Sequence, residues 1–379
     1  MKVLYIQDSL GTGGAERSNA ELWYYLRSKE IQIKIIVLEH RKVGIEQEIL
    51  DAGFDVEFLK PGSFINQVLQ IKNIVKHFKP DLVHSVLFKA AMRTRSAKQL
   101  INFTNIESLV NCTYAEIRYQ DPKINSKALK IYEKVDKLSE KIGVDHFVAI
   151  TKEVAEHYQK HLSVRSEKIL VIPRGRKGND FLGDKDSIRK QLEKEIDVNP
   201  DGPIFIHVGR QEFQKAHLDI IKAIERVDAD LSQSGAQFLF CGREGNATSQ
   251  IKKKLDTANI NTPLHFLGHR NDIYELLAAA DVFVFPSLFE GLGGSLIEAQ
   301  AAGLPIICSD IPVFKEVVTR ENALFHKVNN PESLSVQFLN VLETDRKRMG
   351  EASLRNYVHN FKLEEVNKKM LKLYRNLLK

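Results

Sequence analysis

The chain has 379 residues, long enough for two substantial domains rather than one core. Its 43% hydrophobic and 27% charged residues are ordinary for a soluble globular protein, and no run of eighteen apolar residues offers a membrane span. The net charge of +6 is uneven: residues 1–178 carry +8 and the rest −2, with no finger, basic zipper or aromatic-interleaved basic patch to suggest nucleic acid.

Val3–Ile6 reads as a first buried strand, because the opening MKVLYIQDSLGTGG lacks the h-region and cleavage site of a signal peptide. Gly11-Thr12-Gly13-Gly14-Ala15-Glu16 leads into a helical pattern through about Arg27. A NAD-binding turn fails on spacing here, since G-x-G-x-x-G needs a glycine where Glu16 stands. Strand patterns follow at Ile33–Leu38, Val56–Leu59 and Asp81–His84, with helical patterns between them, the rhythm of a parallel sheet. His84 falls at the carboxyl end of its strand, where open α/β sheets place ligands, and a histidine that only steadies the adjacent loop fits as well. The latter part of Tyr114–Lys141 is strongly helical. Its Arg118, Tyr119, Lys123, Lys127 and Lys130 fit an amphipathic helix with solvated basic residues better than a phosphate or lipid-headgroup site. Strands at Asp145–Ile150 and Lys168–Pro173 close a first domain of residues 1–174.

Arg174–Phe181 holds two glycines among charged residues, as a linker does, and a second domain spans 175–360. Pro203–Arg210 is a strand running into Gly209, with Lys215 five residues after Arg210. Phe238–Gly245 ends in a loop with Gly242 and Arg243, and Leu264–Ile273 carries Arg270. The D-x-D strings Asp184–Asp186 and Asp228–Asp230 lie away from any strand-end pocket. Scattered histidines and three isolated cysteines, Cys112, Cys241 and Cys308, form no metal-ligand set or disulfide framework. The plain expectation is a cytoplasmic protein without metal.

Ala280–Phe285 suits a buried parallel strand, stopped by Pro286 and Ser287. Gly291, Gly293 and Gly294 form a turn, and Ser295–Ala302 reads as a helix ended by Gly303. Strand, glycine turn and helix N-terminus together suit an anionic ligand, because free amides point outward and small residues admit a phosphate. Glu290 and Glu298 flank the turn. Neither carboxylate suits a phosphate, so each must meet hydroxyls or a positive partner, and a nucleotide-sugar supplies phosphates and hydroxyls together. Glu298 also stands three residues after Ser295, where a capping box would use it, and Glu290 also fits as a solvent-facing loop acid. The final run, 362–379, is basic and amphipathic, and it reads either as a helix returning to the first domain or as a membrane-surface helix.

The stretch Phe285–Gly303, FPSLFEGLGGSLIEAQAAG, resembles the EX7E signature of the GT4 family of retaining glycosyltransferases, whose fold is GT-B. The resemblance extends over nearly the whole chain and implies two Rossmann-like domains facing across a cleft, with residues 361–379 crossing back to the first. It implies a metal-independent enzyme that moves a sugar from a nucleotide-diphosphate sugar, UDP-sugar favoured, to a glycan or lipid-linked acceptor in surface polysaccharide synthesis. No separate cofactor is implied, because the nucleotide-sugar is a co-substrate. An anionic membrane is a further partner that the basic first half would suit.

Residue by residue, Gly209, Arg210 and Lys215 match the G-R-x-x-x-x-K-G element, with Ala216 in the usual glycine position. The resemblance implies that Arg210 and Lys215 clamp the leaving pyrophosphate, whose charge grows in the transition state. It implies that Gly13 and Gly14 lie near the sugar and acceptor, and that Glu290 serves the donor sugar and Glu298 the ribose. Gly242, Arg243, Arg270, Gly293, Gly294 and Ser295 complete the donor-binding set. Two departures stand out: Arg174 replaces the usual asparagine of the hinge, and Glu107 occupies the position where the family carries a histidine facing the sugar. That position implies a catalytic part for the Glu107 carboxylate, accepting bonds from sugar hydroxyls or a proton from the acceptor, although a plain surface residue fits as well. A one-residue shift would bring Asn105 or Ser108 there instead. The same scaffold serves nucleotide-sugar epimerases, sugar phosphorylases and non-catalytic binding relatives, and these remain alternatives.

Overall fold

Several strands of this chain are apolar or buried along their whole length, the pattern of parallel strands covered by helices on both faces. Leu82–Val86, Asn105–Leu109, Gln237–Cys241 and Val282–Phe285 have every residue buried. The computed structural model describes residues 1–378 and divides them into two units. The first comprises 1–119, 124–175 and 363–378, and the second 120–123 and 176–362.

In the first unit the elements alternate: β1 (Lys2–Ser9), α1 (Gly14–Ser28), β2 (Gln32–Glu39), α2 (Glu46–Asp51), β3 (Asp55–Phe58), α3 (Phe64–Phe78), β4 (Leu82–Val86), α4 (Phe88–Lys98), β5 (Asn105–Leu109), α5 (Ser126–Gly143), β6 (His146–Ala149), α6 (Lys152–Leu162) and β7 (Ile169–Val171). The strands form one parallel sheet in the order β3-β2-β1-β4-β5-β6-β7. Side chains alternate across β1, so Val3 and Tyr5 join one core with Trp23 of α1, while Leu4 and Ile6 join another with Ile71 and Val75 of α3.

The second unit continues with α7 (Lys185–Ile196), β8 (Ile204–Val208), α8 (His217–Arg226), α9 (Asp228–Gln233), β9 (Gln237–Cys241), α10 (Thr248–Leu255), β10 (Leu264–Gly268), α11 (Ile273–Ala279), β11 (Val282–Phe285), α12 (Gly294–Ala301), β12 (Ile306–Ser309), α13 (Pro312–Val317), β13 (Ala323–His326), α14 (Pro331–Glu343) and α15 (Arg346–Asn360). Its parallel sheet runs β10-β9-β8-β11-β12-β13 around a core that includes Phe205, Phe238, Val282 and Phe338.

The last helix, α16 (Leu363–Asn376), belongs to the first unit. Val366, Met370, Leu371, Leu373 and Tyr374 are buried in the core that contains Leu22, Trp23 and Leu26 of α1. Full burial of such a side chain contributes about 1.5–3 kcal/mol, so this apolar face is committed to the core and is not offered to a lipid surface.

In each sheet the strand order reverses once, between β1 and β4 in the first and between β8 and β11 in the second. Loops leaving the carboxyl ends of two such strands diverge to opposite faces and leave a crevice, the usual ligand position in open α/β sheets.

Candidate active site

The second crevice gathers charged groups. The strand ends around it are drawn together by backbone bonds: Gly209 N–H donates to the Cys241 carbonyl at 2.8 Å, and Gly242 N–H to the Gly268 carbonyl at 2.7 Å. A Cβ on Gly242 would overlap the Gly209 carbonyl, so glycine is required there by backbone approach. The loop after β8 is tied to the loop after β11 twice. Leu288 N–H donates to the Gln214 carbonyl at 2.8 Å, and Gln214 Nε2 donates to the Phe289 carbonyl at 2.7 Å. These bonds set Lys215 against Glu290.

The Lys215 ammonium forms an ion pair with Glu290 and lies 4.7 Å from the centre of the Phe285 ring. The side chains are 18% and 10% exposed, so the pair is largely shielded from water. Beneath it, burial holds His207 down at about 4 and neutral at pH 7, with its Nδ1 bonded to the Val284 carbonyl at 2.8 Å. Arg210, on the same loop, has a side chain 57% exposed, with Glu212 3.8 Å away.

The glycine turn is open at the backbone. Gly293 caps α12 with φ of 84°, a conformation that favours glycine, and no side chain caps the helix. The alternative reading of Ser295 and Glu298 as a capping box is therefore not realised. The Glu298 carboxylate instead accepts a 2.9 Å bond from Arg176 Nε, and both side chains are mostly buried. A Cβ on Gly294 would overlap the Arg176 guanidinium, so a bare glycine admits the arginine at the mouth of α12. The Arg176 backbone is fixed by N–H donation to the Phe361 carbonyl at 2.9 Å and by Tyr357 Oη donating to its carbonyl at 3.0 Å. Ser295 Oγ donates to the Val208 carbonyl at 3.2 Å, bonding the helix start to the end of β8.

Arg243 and Arg270 stand differently. Gln211 N–H donates to the Arg243 carbonyl at 2.9 Å, so this residue contributes at least its backbone to the crevice loop. Arg270, next to the end of β10, is held by Asp272 and Glu195, which raise its already high pKa further. In the first unit Gly13 and Gly14 lie at the β1–β4 crevice. Gly13 caps α1, and the space around Gly14 is open.

Glu107 lies on β5 of the first unit, where every residue of the strand is buried. Its two oxygens accept from Arg95 Nε at 2.9 Å and Nη2 at 2.6 Å, inside the first unit. Burial raises the carboxyl pKa while Arg95 opposes that rise. Both oxygens are occupied, so the expected catalytic part is corrected to a buried ion pair. The neighbouring Ser108 points to the other face of β5, where its hydroxyl meets His84 Nε2 at 2.8 Å and Arg174 Nη2 at 3.0 Å. His84 is buried and held at about 3, first by desolvation and then by Arg174, and its Nδ1 meets the Tyr374 hydroxyl at 2.5 Å. Thus His84 is a neutral core group.

The residue that sequence reasoning missed is Arg176. The only signal available was a second arginine, two residues after Arg174, in the glycine-containing hinge. Among the described residues, no cluster of three or more His, Cys, Asp or Glu is arranged to hold a metal ion.

The family model for Glycosyltransferase Family 4 matches residues 12–176, and that for Glycosyl transferases group 1 matches residues 188–355. An uncharacterized glycosyltransferase of Methanocaldococcus jannaschii is 25% identical over 280 residues, which are 72% of this chain and 66% of that protein, just under two thirds of its length. The UDP-Gal:alpha-D-GlcNAc-diphosphoundecaprenol alpha-1,3-galactosyltransferase of Escherichia coli is 27% identical over 321 residues, covering 82% of this chain and 80% of that one. The N,N'-diacetylbacillosaminyl-diphospho-undecaprenol alpha-1,3-N-acetylgalactosaminyltransferase of Campylobacter jejuni is 24% identical over 339 residues, covering 87% and 82%. In fold, the chain matches the crystal structure of Anabaena HepE in complex with UDP with a TM-score of 0.84 at 16% identity, over 99% of this chain and 100% of that one.

Two Rossmann-like parallel domains define the fold as GT-B. With a glycosyltransferase model matching each half, the chain is placed in the GT-B glycosyltransferase superfamily, enzymes that transfer a sugar from a nucleotide-sugar donor to an acceptor.

Proposed function

We propose that this protein is a retaining, metal-independent glycosyltransferase of the GT4 type, moving a hexose from a UDP-sugar to a lipid-linked glycan acceptor in surface polysaccharide synthesis. The observation that carries the reading is the Lys215–Glu290 ion pair, held at the β8–β11 crevice beside the glycine turn of α12. A donor diphosphate laid over the Gly291–Gly294 turn would meet backbone amides, the Lys215 ammonium and, once it swings in, the Arg210 guanidinium. As the bond from the anomeric carbon to phosphate oxygen breaks, the oxygen gains charge. Cations fixed before the reaction stabilise that charge more than the ground state, and this lowers the barrier.

Glu290 serves twice in this reading. It keeps Lys215 in position before the donor arrives, and it orients the sugar hydroxyls afterwards. Glu298, held by Arg176, is set to accept bonds from ribose hydroxyls. The acceptor attacks the face that the phosphate leaves, and the departing phosphate oxygen takes the acceptor proton, so configuration is retained without a protein nucleophile. Retention rests on the resemblance alone. The polyprenyl-diphosphate acceptors named for the Escherichia coli and Campylobacter jejuni relatives support a lipid-linked acceptor here, and with it a place of action at the cytoplasmic face of a membrane.

The test is a donor screen with purified protein in EDTA, following nucleotide binding and slow donor hydrolysis across UDP-, GDP- and ADP-sugars. Release of UDP from one UDP-sugar, lost in Lys215→Ala, supports the reading. Turnover of a donor without sugar release would favour an epimerase. Binding without any turnover, even with lipid-diphosphate acceptors, would favour a binding protein, and no binding would sink the site.

A further inference from the structure

The second unit contains one piece of chain from outside 176–362, the segment 120–123 that precedes α5. The segment is fastened through a single amide. Asn246 Nδ2 donates to Asp121 Oδ1 at 3.1 Å, and Lys123 N–H donates to the same oxygen at 2.9 Å. Asn246 Oδ1 in turn accepts from Phe213 N–H at 2.7 Å, so this side chain bridges the segment and the loop that carries Arg210 and Lys215. The arrangement brings Lys123 to Glu212, with Nζ 3.2 Å from Oε2 and 3.4 Å from Oε1.

Glu212 sits between the two cations of that loop. Its N–H donates to the Arg210 carbonyl at 2.6 Å, and its carbonyl accepts from Lys215 N–H at 2.9 Å. Gly245 leaves room for the carboxyl group, because a Cβ there would stand 3.0 Å from its carbon. Oε2 also accepts from Asn246 N–H at 3.4 Å. The Glu212 side chain is 19% exposed, so its charge is shielded from water on most sides and calls for a cation. Two are within reach. Arg210 Nη1 is 3.8 Å from Oε1, in ion-pair range but beyond a hydrogen bond, whereas Lys123 is nearer and meets both oxygens. The carboxylate is thus answered by Lys123, and the Arg210 guanidinium stays loose. Without Lys123 the cation left to Glu212 is Arg210, and a close pair between them would hold the guanidinium on its own loop, away from an incoming phosphate.

We propose that Lys123 is a positioning residue for the donor diphosphate: it takes up the Glu212 carboxylate and so frees Arg210 to meet the phosphate. The proposal rests on the donor reading above, in which Arg210 swings onto the diphosphate. Lys123 acts through Glu212 and does not touch the ligand.

The test is a mutant cycle on the full chain with two readouts. UDP affinity is measured by titration calorimetry at about 0.15 M salt, where exposed charges more than about 8 Å apart are largely screened. Lys123→Met weakens UDP binding about fivefold, the upper end for an ion pair in contact with water. Glu212→Gln keeps an oxygen for Asn246 N–H, removes the charge, and binds UDP about two- to fivefold more tightly than the wild type. Lys123→Met added to Glu212→Gln changes nothing further, because no carboxylate remains to capture Arg210. The second readout needs no nucleotide. Modification of Arg210 by phenylglyoxal, followed by peptide mass, slows about threefold or more in Lys123→Met and recovers in the double variant. Lys123 is 56% exposed, so its replacement keeps the wild-type circular dichroism.

Unchanged UDP affinity in Lys123→Met overturns the proposal and leaves a surface ion pair. An equal loss in both backgrounds also overturns it, and makes Lys123 a direct phosphate ligand. Labelling of Arg210 that ignores Lys123 overturns it whatever UDP does. If labelling follows the cycle while the wild type binds no UDP, the release of Arg210 by Lys123 stands and the donor reading alone falls.

Discussion

Replacing Lys215 by alanine separates a structural from a catalytic account of the Lys215–Glu290 pair. Removing one member of a buried ion pair leaves the other desolvated without its partner, at a cost of about 3–5 kcal/mol. The low end applies here, because the two side chains keep 18% and 10% of their exposure. For a domain of this size, about 3 kcal/mol lowers Tm by roughly 6–12 °C. Loss of a fixed cation from a developing oxyanion costs about 100- to 1000-fold in kcat. The two effects part company in Lys215→Met combined with Glu290→Gln, which removes both charges and keeps both volumes. Its Tm returns most of the way to the wild type, while its kcat stays at or below the level of the single variant. Calorimetry reads the first quantity, and release of nucleoside diphosphate from the donor reads the second. A Lys215→Ala protein that loses Tm yet turns over within about threefold of the wild type would refute the phosphate-clamp assignment. The pair would then be a structural tie between two loops.

Arg176→Leu leaves the Glu298 carboxylate without the guanidinium that orients it, and nucleoside diphosphate affinity falls about tenfold, read by titration calorimetry. Gly294→Ala reproduces part of that loss, because the new methyl displaces the same guanidinium, and unchanged affinity in both variants would remove Arg176 from the site. Glu107→Gln lowers Tm, with a cost of about 3–5 kcal/mol, and leaves kcat within about twofold, since Arg95 rather than substrate is its partner. A selective fall in kcat with normal Tm would restore its catalytic part. Stability also falls in mild acid. His84 is held at about 3 and His157, His207 and His326 at about 4, chiefly by burial. Their folded values lie below the ordinary 6.5, so the unfolded chain binds more protons as pH drops from there. Each therefore adds stability that is complete above about pH 6.5 and is lost toward about pH 4, or about pH 3 for His84, at up to about 1.4 kcal/mol per pH unit. Asp8, raised by burial to about 6, works the other way, losing stability as pH rises from 3.8 to 6, and the Glu107, Glu140 and Asp219 carboxyls are raised by burial too. Against these four stand seven lowered imidazoles, because burial also lowers His146, His217 and His265. A Tm that holds level from about pH 7 to about pH 4.5 would contradict this balance.

What could be read from the sequence follows from how local each determinant is. The β8 and β11 strands, the glycine turn and the spacing of Glu290 and Glu298 are contiguous features, and hydrophobic runs with glycines mark them directly. The two domains follow from the same rhythm. Glu107 shows the limit. On paper it is a carboxylate near a strand end, and strand alternation alone decides whether it meets a ligand or the interior. The structure turns it inward because Arg95, twelve residues earlier on α4, and Asp136, on α5, complete an ion-pair cluster that only the assembled helices bring together.

Arg176 and α5 illustrate the same physics from opposite sides. Arg176 reaches Glu298 across 122 positions of chain, so no window of sequence contains the pair, yet Gly294 is legible afterwards as the gap that admits the guanidinium. For α5 the periodicity was plain and the direction was not. An amphipathic pattern states that two faces differ, and it is ordinarily resolved by turning the apolar face inward. Here Arg95 draws Asp136 inward, and rotating the helix to bury Ile131, Val135, Leu138 and Ile142 would leave that guanidinium buried with one carboxylate lost. A stranded buried charge costs several kcal/mol, comparable to burying two or three aliphatic side chains, and the inner face already holds the buried Leu129 and Gly143, the latter packed on Arg95. The ion-pair cluster therefore sets which face of α5 looks out, and the exposed apolar ridge is the consequence.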